Sequence, residues 1–221
     1  MALLVILNLR ENKRTEEMKK IARDMNFSFS DKYIEGDDAL LTSLNQLAIF
    51  SQGVKQNGAW KLLNLIPGSK TQCAWNVMKG NVHGVSVIIM DHFFQSGSGK
   101  NRKTSKQTVF ILQSEKLRLP SFMLRPDKSY FKLANWLGYQ DINFDSRPKF
   151  SKLFYLHGND SQSIRAIFNE DAFAYFEQHK DLSVDGSANR LVVFRLSKNV
   201  ATNDIKAFLE EGLKVFNLFK R

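Results

Sequence analysis

Two stretches near the middle of the chain, Val82–Phe94 and Thr108–Leu112, concentrate β-branched and aromatic residues, which is what a pleated, half-buried surface selects. With the Trp75 segment on one side and the run to Pro126 on the other, they predict an antiparallel meander over residues 73–126. Lys79-Gly80-Asn81 is the expected tight turn between its first two strands, because glycine and asparagine accept the positive φ that a hairpin demands. Gly80 and Asn81 as the central turn residues would set Lys79 opposite Val82, Trp75 opposite Ser86 and Cys73 opposite Ile88.

On either side the period lengthens to that of helices. Thr15 can cap a helix with Glu16 and Glu17 in its first turn and Met18, Ile21, Ala22 and Met25 on one apolar face. Leu40, Leu41, Leu44 and Leu47 predict a second helix over 38–49, and Gly53–Gly58 reads as a turn. After Pro126, Asp127 can cap a helix with Tyr130, Leu133, Ala134 and Leu137 inside and Gly138 at its end. Residues 141–158 read as extended. Asp160 and Asn169 then cap two short helices, and a hairpin follows, with Leu182–Val184 and Leu191–Leu196 around a loop holding Asp185-Gly186 and Ala188-Asn189. Thr202 is the expected cap of a final helix whose inner face is Ile205, Phe208, Leu209, Leu213 and Phe216. The fold class is therefore α+β: an antiparallel sheet with helices on one side and a C-terminal β-α-α-β-β-α segment. Residues 1–30 form an apolar edge and a basic amphipathic helix, and 31–221 form one α+β domain with a candidate subdomain boundary at 138–148.

A chain of 221 residues buries roughly 70% of the surface it would expose unfolded, so no metal or disulfide is needed to hold it. The 18 phenylalanines predict an aromatic core. The single Cys73 mildly favours a reducing compartment. A net charge of +10 and a pI near 9.7 favour an acidic partner, for which anionic lipid and nucleic acid both qualify.

That charge has two concentrations. The apolar run Ala2–Leu9 is followed by Arg10, Lys13, Arg14, Lys19, Lys20 and Arg23. The run is far shorter than the about 20 residues that span a bilayer, and it lacks the features of a signal peptide. It reads either as a short buried strand or helix start, or as the end of a membrane helix whose basic flank places the domain on the cytoplasmic side. The second concentration is the expected hairpin tip, where Lys100, Arg102, Lys103 and Lys106 form an anion-binding candidate without an acid among them.

Candidate chemistry is sparse. Gly97-Ser98-Gly99-Lys100 fails as a phosphate cradle, since Phe94 stands where the first glycine belongs and Asn101 where Ser or Thr belongs. In the register above, His92 lies on the order of 13 Å from Cys73, too far to activate it. Asp91 and His92 are neighbours in a strand and face opposite ways. The histidines follow no zinc spacing, and no cofactor or metal is expected. Basic residues interleave with aromatics at Tyr130-Phe131-Lys132 and Phe150–Phe154 without matching an RNA-recognition sheet.

Asn76–Gly80, Leu119–Pro126, Asp141–Phe144, Phe150–Gly158 and Ile164-Arg165, in that order, resemble a group of uncharacterised bacterial proteins in which hydrophobic N-terminal helices commonly precede a soluble domain. The similarity covers about Met18 to the end. It implies an anchor-like role for Ala2–Leu9 and no activity or catalytic residue. The expected function is a non-enzymatic domain at the cytoplasmic membrane surface, binding a protein partner or an anionic surface through its basic side. Two rival readings stay open: an enzyme whose site gathers Asp91, His92 and His157, and a nucleic-acid-binding domain.

Overall fold

A computed structural model of the protein describes residues 2–32, 73–96, 103–126 and 141–221; of residues 2–11, 32, 73, 93–96 and 103–105 it describes the backbone. The helices expected over 38–49 and after Asp127, and the turn at 53–58, lie outside these residues. Helix α1 (Ala2–Asp24) runs through Thr15 without a break, so Thr15 is an interior residue rather than a cap. It stops where Asn26 takes a φ of 54° and the Phe27 N–H donates back to the Ala22 carbonyl at 2.8 Å, the wrapped ending that asparagine can supply.

Strand β1 (Ser28–Lys32) then opens one edge of an antiparallel sheet continued by β2 (Cys73–Val82), β3 (Val85–Ser96) and β4 (Lys103–Gln113). Next come β5 (Leu119–Pro126), α2 (Pro148–Leu153), β6 (Phe154–Gly158), α3 (Ser161–Ile167), α4 (Glu170–Gln178), β7 (Leu182–Ala188), β8 (Arg190–Arg195) and, after a 3-10 turn at Thr202–Asp204, α5 (Ile205–Phe219). The eight strands among the described residues lie in the order β1-β2-β3-β4-β8-β7-β5-β6, all neighbours antiparallel. The protein is thus α+β, as the sequence predicts.

Two turns correct the sequence reading. The β2–β3 hairpin turns at His83-Gly84, with φ of 51° and 79°, and Asn81 accepts the Gly84 N–H on its side chain at 2.9 Å. Gly80 lies in the strand opposite Val87, and it is glycine because a Cβ there would overlap the Phe27 ring. Trp75 consequently pairs with Asp91 instead of Ser86, and Cys73 with Phe93 instead of Ile88. In the second hairpin, Asp185-Gly186 is strand rather than loop, and a Cβ at Gly186 would overlap the Phe122 ring. The turn there is Ala188-Asn189 alone, with Ala188 at φ 52°.

Local signals elsewhere behave as chemistry requires. Asp160 accepts the Ser163 N–H at 3.0 Å and Asn169 the Ala172 N–H at 2.9 Å, capping α3 and α4. The supposedly extended 141–158 contains α2, which Pro148 starts where a missing N–H costs nothing. Thr202 does not cap α5; its hydroxyl donates to Glu17 on α1 at 2.7 Å.

The described helices share one face of the sheet. There Met18 and Ala22 of α1 join Met78, Ile89, Phe110, Leu112, Leu191 and Val193, while Phe122, Phe150, Phe154, Phe168, Phe173, Phe176 and Phe219 fill the core under α2 to α5 with ring-to-ring contacts. On the other face Ala74, Val77, Met90, Val109, Ile111, Val192 and Phe194 are buried too. Burial on both faces explains why Val87–Met90 of β3, Val109–Leu112 of β4 and Leu191–Phe194 of β8 are unbroken apolar runs.

A candidate membrane-facing surface and the ion pair behind it

Helix α1 sorts its side chains by angle. Arg14, Met18 and Ala22, spaced by four, form its inner stripe with Ile21 and Met25 beside them. Lys13, Lys19, Lys20 and Arg23 are exposed on the opposite side together with Glu16 and Asp24, and Lys13 is 3.8 Å from Glu17. Five of the six cations expected at the membrane-proximal segment therefore have a described position, and four of them share one solvent face. The side chain of Arg10 lies outside the described residues.

Arg14 is the exception. It turns inward, its side chain 15% exposed, and meets the fully buried Asp91 of β3 with two parallel bonds of 2.7 Å, from Nε and Nη2. Its Nη1 donates to the Val200 carbonyl at 2.9 Å and its Nη2 also to Thr108 Oγ1 at 3.0 Å. Asp91 further accepts the Thr108 hydroxyl at 3.0 Å and Asn76 Nδ2 at 2.9 Å. Thr108 in turn accepts the Val200 N–H at 3.0 Å. Asn76 reaches Asp91 through a bulge: Asn76 and Val77 together oppose the single position between Asp91 and Ile89, and Asn76 adopts a φ of 52°. Bulges re-aim side chains in this way.

The rival enzymatic residues are not brought together. Asp91 is committed to Arg14, and His92 faces the other side of the sheet, where burial pushes its imidazole down to about pKa 4. His157 is in β6, five strand spacings from β3, or about 24 Å. The distance argument against Cys73 and His92 falls with the corrected register, which sets Ala74 opposite His92 and Cys73 opposite Phe93. Of the hairpin cations, Lys106 is half-buried with its Nζ 5.6 Å from the centre of the Trp75 ring, and Lys103 pairs with Ser96 in the ladder. Lys100 and Arg102 lie outside the described residues. The aromatic members of Phe150–Phe154 are buried in the core and offer no face to a base.

Sequence reasoning missed a cleft of ≈ 810 Å³ between α4, α5 and the end of β8. On its wall Arg195 donates to Asp181 and Glu211, both at 2.8 Å, and lies 4.3 Å from the centre of the Phe208 ring. Tyr175 and His179 stack at 4.0 Å, with His179 Nε2 3.9 Å from Glu211. Burial, then the charge of Glu211, pushes the Tyr175 phenol well above its ordinary range, against a smaller opposing pull from Arg195. These groups satisfy one another. A second buried ion pair, Arg125 with Asp185, sits on the sheet's other face with the guanidinium 4.8 Å from the Phe194 ring centre.

Neither a family model nor a curated protein matches the chain. Among solved structures, the crystal structure of the mycobacterial trehalose monomycolate transport factor A, TtfA, is similar, with a TM-score of 0.50 over 93% of this chain and 91% of that one. The identity is 12%. The likeness is one of fold. Among the described residues no helix is long and apolar enough to cross a membrane.

Proposed function

We propose that this is a non-enzymatic binding domain that works at the cytoplasmic face of a membrane, holding an anionic bilayer surface through α1. One observation carries the reading: the apolar run Ala2–Leu9 and the cation-rich stretch after it belong to one continuous helix. Eight helical residues extend about 12 Å, enough to enter one leaflet of a hydrocarbon layer about 30 Å thick. With the helix tilted toward the plane of the surface, the exposed Lys13, Lys19, Lys20 and Arg23 come at the level of the headgroups, where each cation is worth about 1 kcal/mol at an anionic surface.

The test is co-sedimentation with vesicles. The protein is expected to pellet with phosphatidylglycerol vesicles and far less with phosphatidylcholine, and to be released as salt rises. Lys13→Glu, Lys19→Glu and Lys20→Glu together should weaken binding by at least about a hundredfold. Equal binding to both lipids, or a triple variant that binds as the parent does, sinks the reading.

A further inference from the structure

We propose that Arg14 and Asp91 are a positioning pair for this surface: the ion pair behind α1 fixes the rotation of the helix on the sheet, and with it the direction in which the residues ahead of Arg14 leave the domain. The inference rests on the membrane reading above. Twelve residues of α1, Ala2 to Lys13, precede Arg14, a lever of about 18 Å. A small angular error at Arg14 is magnified along that length.

The apolar part of the contact is poorly suited to fixing an angle. Met18 and Met25 are adaptable side chains, Ala22 offers one methyl group and Ile21 is only partly buried, a set that specifies a rotation less sharply than directional bonds do. A guanidinium fork on a carboxylate is directional, and here the fork is complete: two bonds to Asp91, one to the Val200 carbonyl and one to Thr108. The acceptor is equally constrained, since Asn76 and Thr108 hold the remaining lone pairs of Asp91. A buried pair of this kind adds little net stability over apolar residues of the same volume, and its best-attested use is to select one register among several. Glu17, one turn further along α1, adds a second polar tie, to Thr202. Both ties reach the segment 200–202, so α1 is referenced to the sheet and to the start of α5 at once.

Asp91→Asn separates positioning from charge. It makes the protein one unit more positive, so attraction by charge alone predicts binding to phosphatidylglycerol vesicles about fivefold tighter. The positioning pair predicts the opposite, a loss of about tenfold or more, because Arg14 loses its directional partner. Arg14→Lys keeps both charges, loses the fork, and should weaken binding in the same direction; it carries the test if Asp91→Asn does not fold. Hydrogen exchange without lipid gives the independent readout: amides of Met18–Arg23 should exchange about tenfold faster in either variant while those of Val109–Leu112 stay protected. If the parent protein ignores vesicles but exchange in α1 still quickens, the membrane reading falls and the anchoring of α1 by this pair stands. Unchanged exchange in α1, or faster exchange with vesicle binding undiminished, overturns the positioning role.

Discussion

His92 makes the stability of this fold depend on pH in a direction that can be worked out beforehand. It sits in β3 between Ala74 and Gln107 at 3% exposure, and burial brings its pKa from 6.5 to about 4. The unfolded chain therefore takes up a proton near pH 6.5 that the folded chain refuses until near pH 4. Stability is at its full value above pH 6.5 and falls as pH drops through that window, since the unfolded state binds more protons there. At 1.36 kcal/mol per unit the whole window is worth about 3 kcal/mol, and between pH 7.5 and 5.0 about 2 kcal/mol is lost. Urea denaturation at those two pH values measures it. His92→Gln removes the titrating group and leaves the other three histidines in place, so the parent should lose about 2 kcal/mol more than the variant on acidification, whatever the variant's absolute stability. Equal losses in the two proteins, or a parent that gains stability at pH 5.0, would refute the assignment of a buried neutral imidazole.

Substitutions at two further positions probe the local geometry. Gly186→Ala sets a methyl group into the fully buried Phe122 ring and is expected to cost about 1–3 kcal/mol in urea denaturation, with little cost meaning that the ring can yield. Asn76→Ala keeps a β-carbon at φ 52° but loses the side-chain amide that eases this conformation, and with it a bond to Asp91, for an expected loss of about 2 kcal/mol. Asn76→Gly should recover about 1 kcal/mol of that, and equal stability of the two variants would show that backbone strain plays no part.

What could be read from the chain was local. Asp160 and Asn169 cap their helices because a side chain and an N–H three residues on are bound to meet once a helix starts. The β-rich runs of β3, β4 and β8 are strands on composition alone. Gly80 and Gly186 misled because glycine has two uses, and the rings that exclude a Cβ, Phe27 and Phe122, come from distant parts of the chain. In the sequence Arg14 reads as a surface cation and Asp91 as a member of the rival enzymatic set. They are 77 residues apart. A signal was nonetheless present: each is a charge at a position where its own pattern calls for an apolar side chain, Arg14 on the stripe of Met18 and Ala22, and Asp91 in line with Val87 and Ile89.

The strand order carries a consequence for biosynthesis. Among the described residues, the first four strands and the last four make two half-sheets that meet where Val109 of β4 pairs with Phe194 of β8 and Leu112 with Leu191, forming a seam. A ribosome must have delivered Arg190–Arg195 before that seam can close. Until then β4 presents Val109 to Leu112 on a bare edge, the kind of segment on which nascent chains cross-pair. Chains interrupted upstream of β8 should accordingly accumulate as insoluble material rather than as a smaller folded product.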